Sequence, residues 1–213
     1  MGLVWLLDRL IPPPFFRGEE MAFKYANLRS EIDDGFLLSF AGTWLQSYGI
    51  RWWTNNRPGW KSWCSFSPIS HVGFAIWQDY GEVSRLCVLE SVGGGPRMVP
   101  LSSLLRIYGK AGGKVFFQRP MHNNSRGMVQ AALEMWGMGL VYPTNQYLAY
   151  LAAPYRWIKG DDVDKDGVTC SEFVTASAAK CGLWDRLPIP ALTAPLEFSN
   201  SNLWSQPRQE IVW

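Results

Sequence analysis

Val168-Thr169-Cys170-Ser171-Glu172-Phe173-Val174 carries the signal on which the reading of the fold turns. Thr169 followed three residues later by Glu172 has the form of a capping box. In it the threonine hydroxyl accepts from the third helical N–H, and the glutamate reaches back to the cap. The spacing makes Thr169 the N-cap and Cys170 the first helical residue, and Gly182 is placed to close the helix in a left-handed conformation. A helix start gathers unpaired backbone N–H groups and the positive end of the macrodipole. Both favour a thiolate. Cys181, at the far end of the same helix, meets the negative end instead. A second reading stands beside this one. Cys170, Phe173, Val174, Ser177, Ala178 and Cys181 form one stripe at helical spacing, which also suits a core thiol.

A reactive cysteine needs a base, and the chain has two histidines. His122 lies in the polar stretch Met121-His122-Asn123-Asn124-Ser125 and reads as a solvated loop residue. His71 opens Ser70-His71-Val72-Gly73-Phe74-Ala75-Ile76-Trp77, in which Val72, Phe74 and Ile76 share one face and His71, Gly73 and Ala75 the other. The turn Asp79-Tyr80-Gly81 leads to a second strand, Arg85 to Ser91, and together they predict a hairpin. Gly73, on the histidine's own face, is expected to leave room for a helix to approach. Glu90, just before the Ser91-Val92-Gly93 break, is the candidate to orient the second ring nitrogen. Its alternative reading is a solvated carboxylate at a strand end.

Outward from these segments, Phe36 to Phe40, Met98 to Leu101 and Lys114 to Arg119 read as short strands, and Ser125 to about Met138 as a helix. Residues 139–168 read as mostly loop, and the chain after Pro188 as irregular. At 213 residues, with 47% hydrophobic and 18% charged residues, the chain suits one well-filled domain. A net charge of +2 without clustered Lys and Arg argues against a nucleic-acid binder. Four cysteines without CxxC spacing predict reduced thiols and no zinc site. The opening MGLVWLLDRLIPPPFF places Leu3, Leu6, Leu7 and Leu10 on one helical stripe. It has no basic leader, carries Asp8 and breaks at Pro12, so it reads as an arm packed on its own domain or on a partner, in preference to membrane docking, and not as a signal peptide or membrane span. A cytoplasmic or virion-associated location is the expectation. Asp162-x-Asp164-x-Asp166-Gly167 matches the start of an EF-hand calcium loop. Position twelve is Phe173 rather than Glu, so a solvated acidic loop is the preferred reading, with no metal or cofactor expected.

The order of Ser70-His71-Val72-Gly73, then a strand ending near Glu90, then Thr169-Cys170-Ser171-Glu172-Phe173-Val174 resembles the circularly permuted NlpC-type (YiiX-like) papain-like cysteine hydrolases. There the histidine-bearing β region precedes the cysteine-bearing helix. Ile32 to Leu38 resembles the opening strand of such domains, Val99 to Leu105 the stretch after the Glu strand, and Ala153-Pro154-Tyr155 the Pro-Tyr segment before the nucleophile. Arg156 and the acidic stretch from Trp157 to Gly167 depart from the pattern. The resemblance implies an α+β, permuted papain-like fold with a small antiparallel sheet or half-barrel packed on the nucleophile-bearing helix. It implies an arm at 1–29, a hydrolase domain at 30–200 and a tail at 201–213. Cys170 would be the nucleophile, His71 the base and Glu90 the third member, with Tyr155, or Tyr142 in competition, lining the substrate site. The implied reaction is cleavage of an amide or peptide-type bond, of the cell-wall class, through an acyl-enzyme. The alternatives are a lipid-directed acyltransferase or thioesterase, or a non-catalytic component of a larger assembly such as a phage virion. In that last case the arm and Trp44, Trp52, Trp53, Trp60 and Trp63 would be docking surfaces.

Overall fold

The long hairpin read from residues 71–91 organises the molecule. In the structure, a computed structural model that describes residues 22–44, 47–51, 68–142, 167–183 and 195–212, β3 (His71–Tyr80) and β4 (Val83–Val92) pair antiparallel, with Gly73 opposite Glu90. β2 (Leu37–Ala41) lies on the other side of β3, and β5 (Gly95–Pro100) on the other side of β4. β6 (Lys114–Gln118), β7 (Gln209–Val212) and β1 (Ala22–Lys24) complete an open sheet of order β1-β7-β6-β2-β3-β4-β5.

Both faces of this sheet are covered, which is why every residue of β2 is buried. On one face Val72, Phe74 and Ile76 pack with Phe173, Val174 and Ala178 of α4 (Cys170–Lys180) and with Met128 and Ala132 of α3 (Ser125–Gly137). On the other, Leu38, Phe40, Ala75 and Val88 meet Leu101, Leu104, Leu105 and Tyr108 of α2 (Leu101–Lys110). Burying each such large side chain contributes roughly 1.5–3 kcal/mol. Shorter helical segments, α1 (Tyr25–Leu28), the 3-10 turn Arg29–Glu31, residues 47–51 and α5 (Pro195–Ser199), add to the α+β architecture among the described residues. No helix among them is long and apolar enough to cross a membrane.

Several expectations are corrected. The sheet is seven-stranded and mixed rather than small and antiparallel, because β1 pairs with β7 in parallel. The strand expected at 98–101 ends at Pro100. Leu101, Leu104, Leu105 and Tyr108 then recur at helical spacing and form a buried stripe. The segment after Pro188 is not wholly irregular: α5 and β7 lie within it. The sheet draws β1 from within residues 1–29 and β7 from within residues 201–213. A buried polar cluster secures that end. Ser199 Oγ donates to Gln118 Oε1 at 2.6 Å, and Gln118 Nε2 donates to the Ser199 and Ser205 carbonyls at 2.9 Å each. The apolar stripe of residues 1–11 lies outside the described residues.

Candidate active site

The capping box forms as its residues dictate. Glu172 N donates to Thr169 Oγ1 at 3.3 Å, Thr169 N donates to Glu172 Oε2 at 3.2 Å, and Cys170 is the first residue of α4. At the other end Gly182, with φ +76°, lets its N–H reach the Ala179 carbonyl at 3.0 Å while Leu183 N reaches Ala178 O at 3.2 Å. These paired bonds are the Schellman closure expected of a left-handed glycine.

The chain before the cap is fixed to the sheet. Val168 N donates to Val141 O at 3.0 Å, and Ser91 Oγ donates to the Val168 carbonyl at 2.6 Å. Ser91 and Glu90 are neighbours on β4, so their side chains leave opposite faces of the sheet. One anchors the segment that presents Cys170, and the other reaches His71. The sequence reads Ser91-Val92-Gly93 as a strand break, whereas β4 continues to Val92 and Ser91 serves as an anchor.

His71 begins β3. Its start is held by Ser70, whose N–H and Oγ both donate to the Phe40 carbonyl, at 2.8 and 3.1 Å. The His71 ring tilts against Phe40 with centroids 5.4 Å apart. His71 Nε2 donates to Glu90 Oε2 at 2.7 Å across the diagonal of the β3–β4 ladder, and Glu90 is 1% exposed. Gly73 lies directly opposite Glu90. A Cβ on it would come within 2.9 Å of the Leu89 carbonyl oxygen and 3.1 Å of Glu90 Cβ. The space beside Gly73 is therefore taken up by β4 itself, including Val88 Cγ1 at 2.9 Å, and not by an approaching helix. The core of α4 packs on the opposite face of β3, and Cys170 meets His71 at the sheet margin, where β3 begins and β4 ends.

The Cys170 thiol lines the same cleft as the His71 ring, close enough for its charge to act on the imidazole, and Cys170 is 5% exposed. With Nε2 engaged by Glu90, Nδ1 is the ring nitrogen not bound to the carboxylate. Burial acts to lower the His71 pKa. The charges of Cys170 and Glu90, with the hydrogen bond that His71 donates to Glu90, outweigh it and raise the value to about 10. Burial would likewise raise Glu90, but His71 and then Arg97 hold it below the usual carboxylate range. Burial pushes the Cys87 and Cys181 thiols up.

Cys170, His71 and Glu90 line one cleft of about 230 Å³, together with Tyr142, Tyr108 and Arg97. Its outer wall is apolar: Trp44 and Ile107, 42% and 49% exposed, stand beside Ile50 and Leu104. The expected partners Cys170, His71, Glu90 and Tyr142 thus come together. Tyr155, Trp52, Trp53, Trp60, Trp63 and the acidic loop Asp162 to Asp166 lie outside the described residues. Among the described residues no group of three or more His, Cys, Asp and Glu is placed to hold a metal ion.

Two cleft residues were missed by sequence reasoning. Arg97 is directly opposite Glu90 on β5, and its Nε and Nη2 donate to Glu90 Oε1 at 2.9 and 2.7 Å. Tyr108 packs on Phe40 and Trp44, with centroids 5.1 and 4.9 Å apart. Burial, reinforced by the Glu90 and Cys170 charges and opposed by Arg97, raises its phenol, so the hydroxyl stays protonated. The buried stripe of α2 was the signal for Tyr108. No local pattern marks Arg97.

No protein-family model matches this chain, and no curated protein matches it.

Proposed function

We propose that the protein is a thiol hydrolase on a circularly permuted papain-like fold, with Cys170 as nucleophile, His71 as base and Glu90 as the orienting acid. The observation that carries this reading is the His71 ring. It is held at 2.7 Å by a buried carboxylate on Nε2 and shares its cleft with a helix-start thiol whose charge acts on it. A core thiol has no need of such a partner.

In the proposed reaction the Cys170 sulfur, its proton taken by His71, attacks the substrate carbonyl and forms a carbon–sulfur bond. The carbonyl π electrons move to oxygen. The Cys170 N–H, in the first turn where backbone donors lack intrahelical acceptors, is available to that oxyanion. As the carbonyl re-forms, the bond to the leaving group breaks and His71 gives the proton to it, leaving an acyl-enzyme. Water, deprotonated by the now neutral His71, then attacks the thioester. The sulfur leaves and the product acid departs. Glu90 holds the ring in one tautomer and stabilises its charged form throughout.

By the resemblance the substrate is an amide or peptide-type bond of the cell-wall class. The apolar wall of Trp44, Ile50, Leu104 and Ile107 supports a second reading, in which the acyl group taken up is lipid-like. Incubation with peptidoglycan fragments and, separately, with long-chain acyl thioesters, followed by intact-mass spectrometry, tests both. A mass increase on Cys170 is expected from one class. It should be absent in Cys170→Ser and reduced at least 100-fold in rate in His71→Ala. Failure of every acyl donor to load Cys170 would refute the hydrolase reading.

A further inference from the structure

Glu90 is shared between two cations, one on each oxygen. Oε2 accepts from His71 at 2.7 Å, and Oε1 accepts both Nε and Nη2 of Arg97. We infer that Arg97 is a positioning residue for the proposed reaction, fixing Glu90 in place and keeping it anionic while His71 gains and loses its proton. The inference rests on the hydrolase reading above and adds a fourth member to its chain of contacts.

A buried carboxylate can relax in two ways, by rotating or by taking up a proton. Two N–H bonds on Oε1 oppose the rotation that would turn Oε2 away from His71. The groups facing this pair come from four elements: His71 from β3, Arg97 from β5, Tyr108 from α2 and Cys170 from the start of α4. Tyr108 remains a neutral phenol, and Cys170 is consumed in the acyl-enzyme. His71 becomes neutral when it protonates the leaving group. Arg97 alone among them is a cation whose charge depends on neither pH nor the stage of the reaction. Without it, Glu90 beside a neutral His71 would be a lone buried anion, and burial would favour its protonation. A protonated Glu90 gives His71 no anion to balance the charge it acquires. The half-exposed guanidinium, at 49%, keeps part of its hydration, so its own desolvation is modest. A substrate-independent measurement can isolate this role.

The test is the pH dependence of Cys170 alkylation by iodoacetamide, resolved by peptide mapping, in wild type, Arg97→Gln, Arg97→Lys, Glu90→Gln and the Glu90→Gln/Arg97→Gln pair. Arg97→Gln is expected to move the acid limb of the Cys170 rate upward by about one pH unit, a roughly tenfold loss on that limb. Lysine restores the charge without the two-point hold, so Arg97→Lys falls between. In the Glu90→Gln background the second substitution adds no further shift, because Arg97 acts through Glu90. Limbs coincident with wild type in both Arg97 variants, or an equal shift with and without Glu90, overturn the inference while leaving the hydrolase reading intact. If Arg97→Gln fails to fold, Arg97→Lys alone decides by the same criterion. A wild-type Cys170 no faster than Cys87 and Cys181 overturns both.

Discussion

His71 is bound to the Glu90 carboxylate and shares its cleft with Cys170, and burial by itself would disfavour its charged form. The two partners outweigh burial and raise the ring to about 10, from an ordinary 6.5. A histidine raised on folding stabilises the native state fully below pH 6.5, and that contribution is lost as pH climbs through about 10. Glu90 has the opposite sign. Held below the usual carboxylate range, it contributes above that range, and its contribution is lost as the pH falls through its lowered value. NMR of the His71 ring should therefore find an imidazolium at neutral pH that titrates only in the alkaline range. Cys170→Ala and Glu90→Gln should each bring the titration down by one unit or more. A wild-type ring already neutral at about pH 8 would contradict this. Cys170, His71 and Glu90 were legible because a capping box, an alternating strand and a strand end each mark a position locally. Arg97 and Ser91 were not. Their roles depend on the register of β4 against β5 and on which face of β4 meets the nucleophile segment, and pairing register is a tertiary property.

Among the elements, α4 was the most legible, because both of its ends carry their own chemistry: Thr169 with Glu172 at the start and Gly182 at the close. The Thr169 cap also fixes which residue stands first in the helix, so it sets where the sulfur points. Thr169→Ala should cost about 1 kcal/mol of stability, and Thr169→Ser much less, as read from urea unfolding midpoints at unchanged slope. Equal midpoints for all three proteins would remove the cap from the account. The β3–β4 hairpin was legible from its period-two pattern. α2 was hidden by Pro100, which closes a strand and opens a helix at once, so one apolar run served two periodicities. β7 was hidden for another reason. In Gln209-Glu210-Ile211-Val212 Ile211 alone is buried, and the strand is defined by its partners β1 and β6 rather than by its own alternation.

At the scale of the whole molecule, the site is made by a sheet with helices on both faces. His71, Glu90, Arg97 and Tyr108 gather on the side covered by α2, whereas the apolar face of α4 packs on the other. The order of segments was readable from the sequence, and so was the expectation that a helix start and a strand start would meet. The face on which α4 packs was not, since Val72, Phe74 and Ile76 offer an apolar surface without naming what covers it. Contact between Cys170 and His71 is thus a consequence of the complete fold, and the reactivity of one thiol reports on it. Native protein treated with one equivalent of iodoacetamide at about pH 6, then mapped by mass spectrometry, measures that reactivity directly. The label is predicted to accumulate on Cys170 ahead of Cys87 and Cys181, whose thiols burial raises, and His71→Ala is predicted to erase the preference. Even labelling of the cysteines, or a preference that survives His71→Ala, would contradict the account.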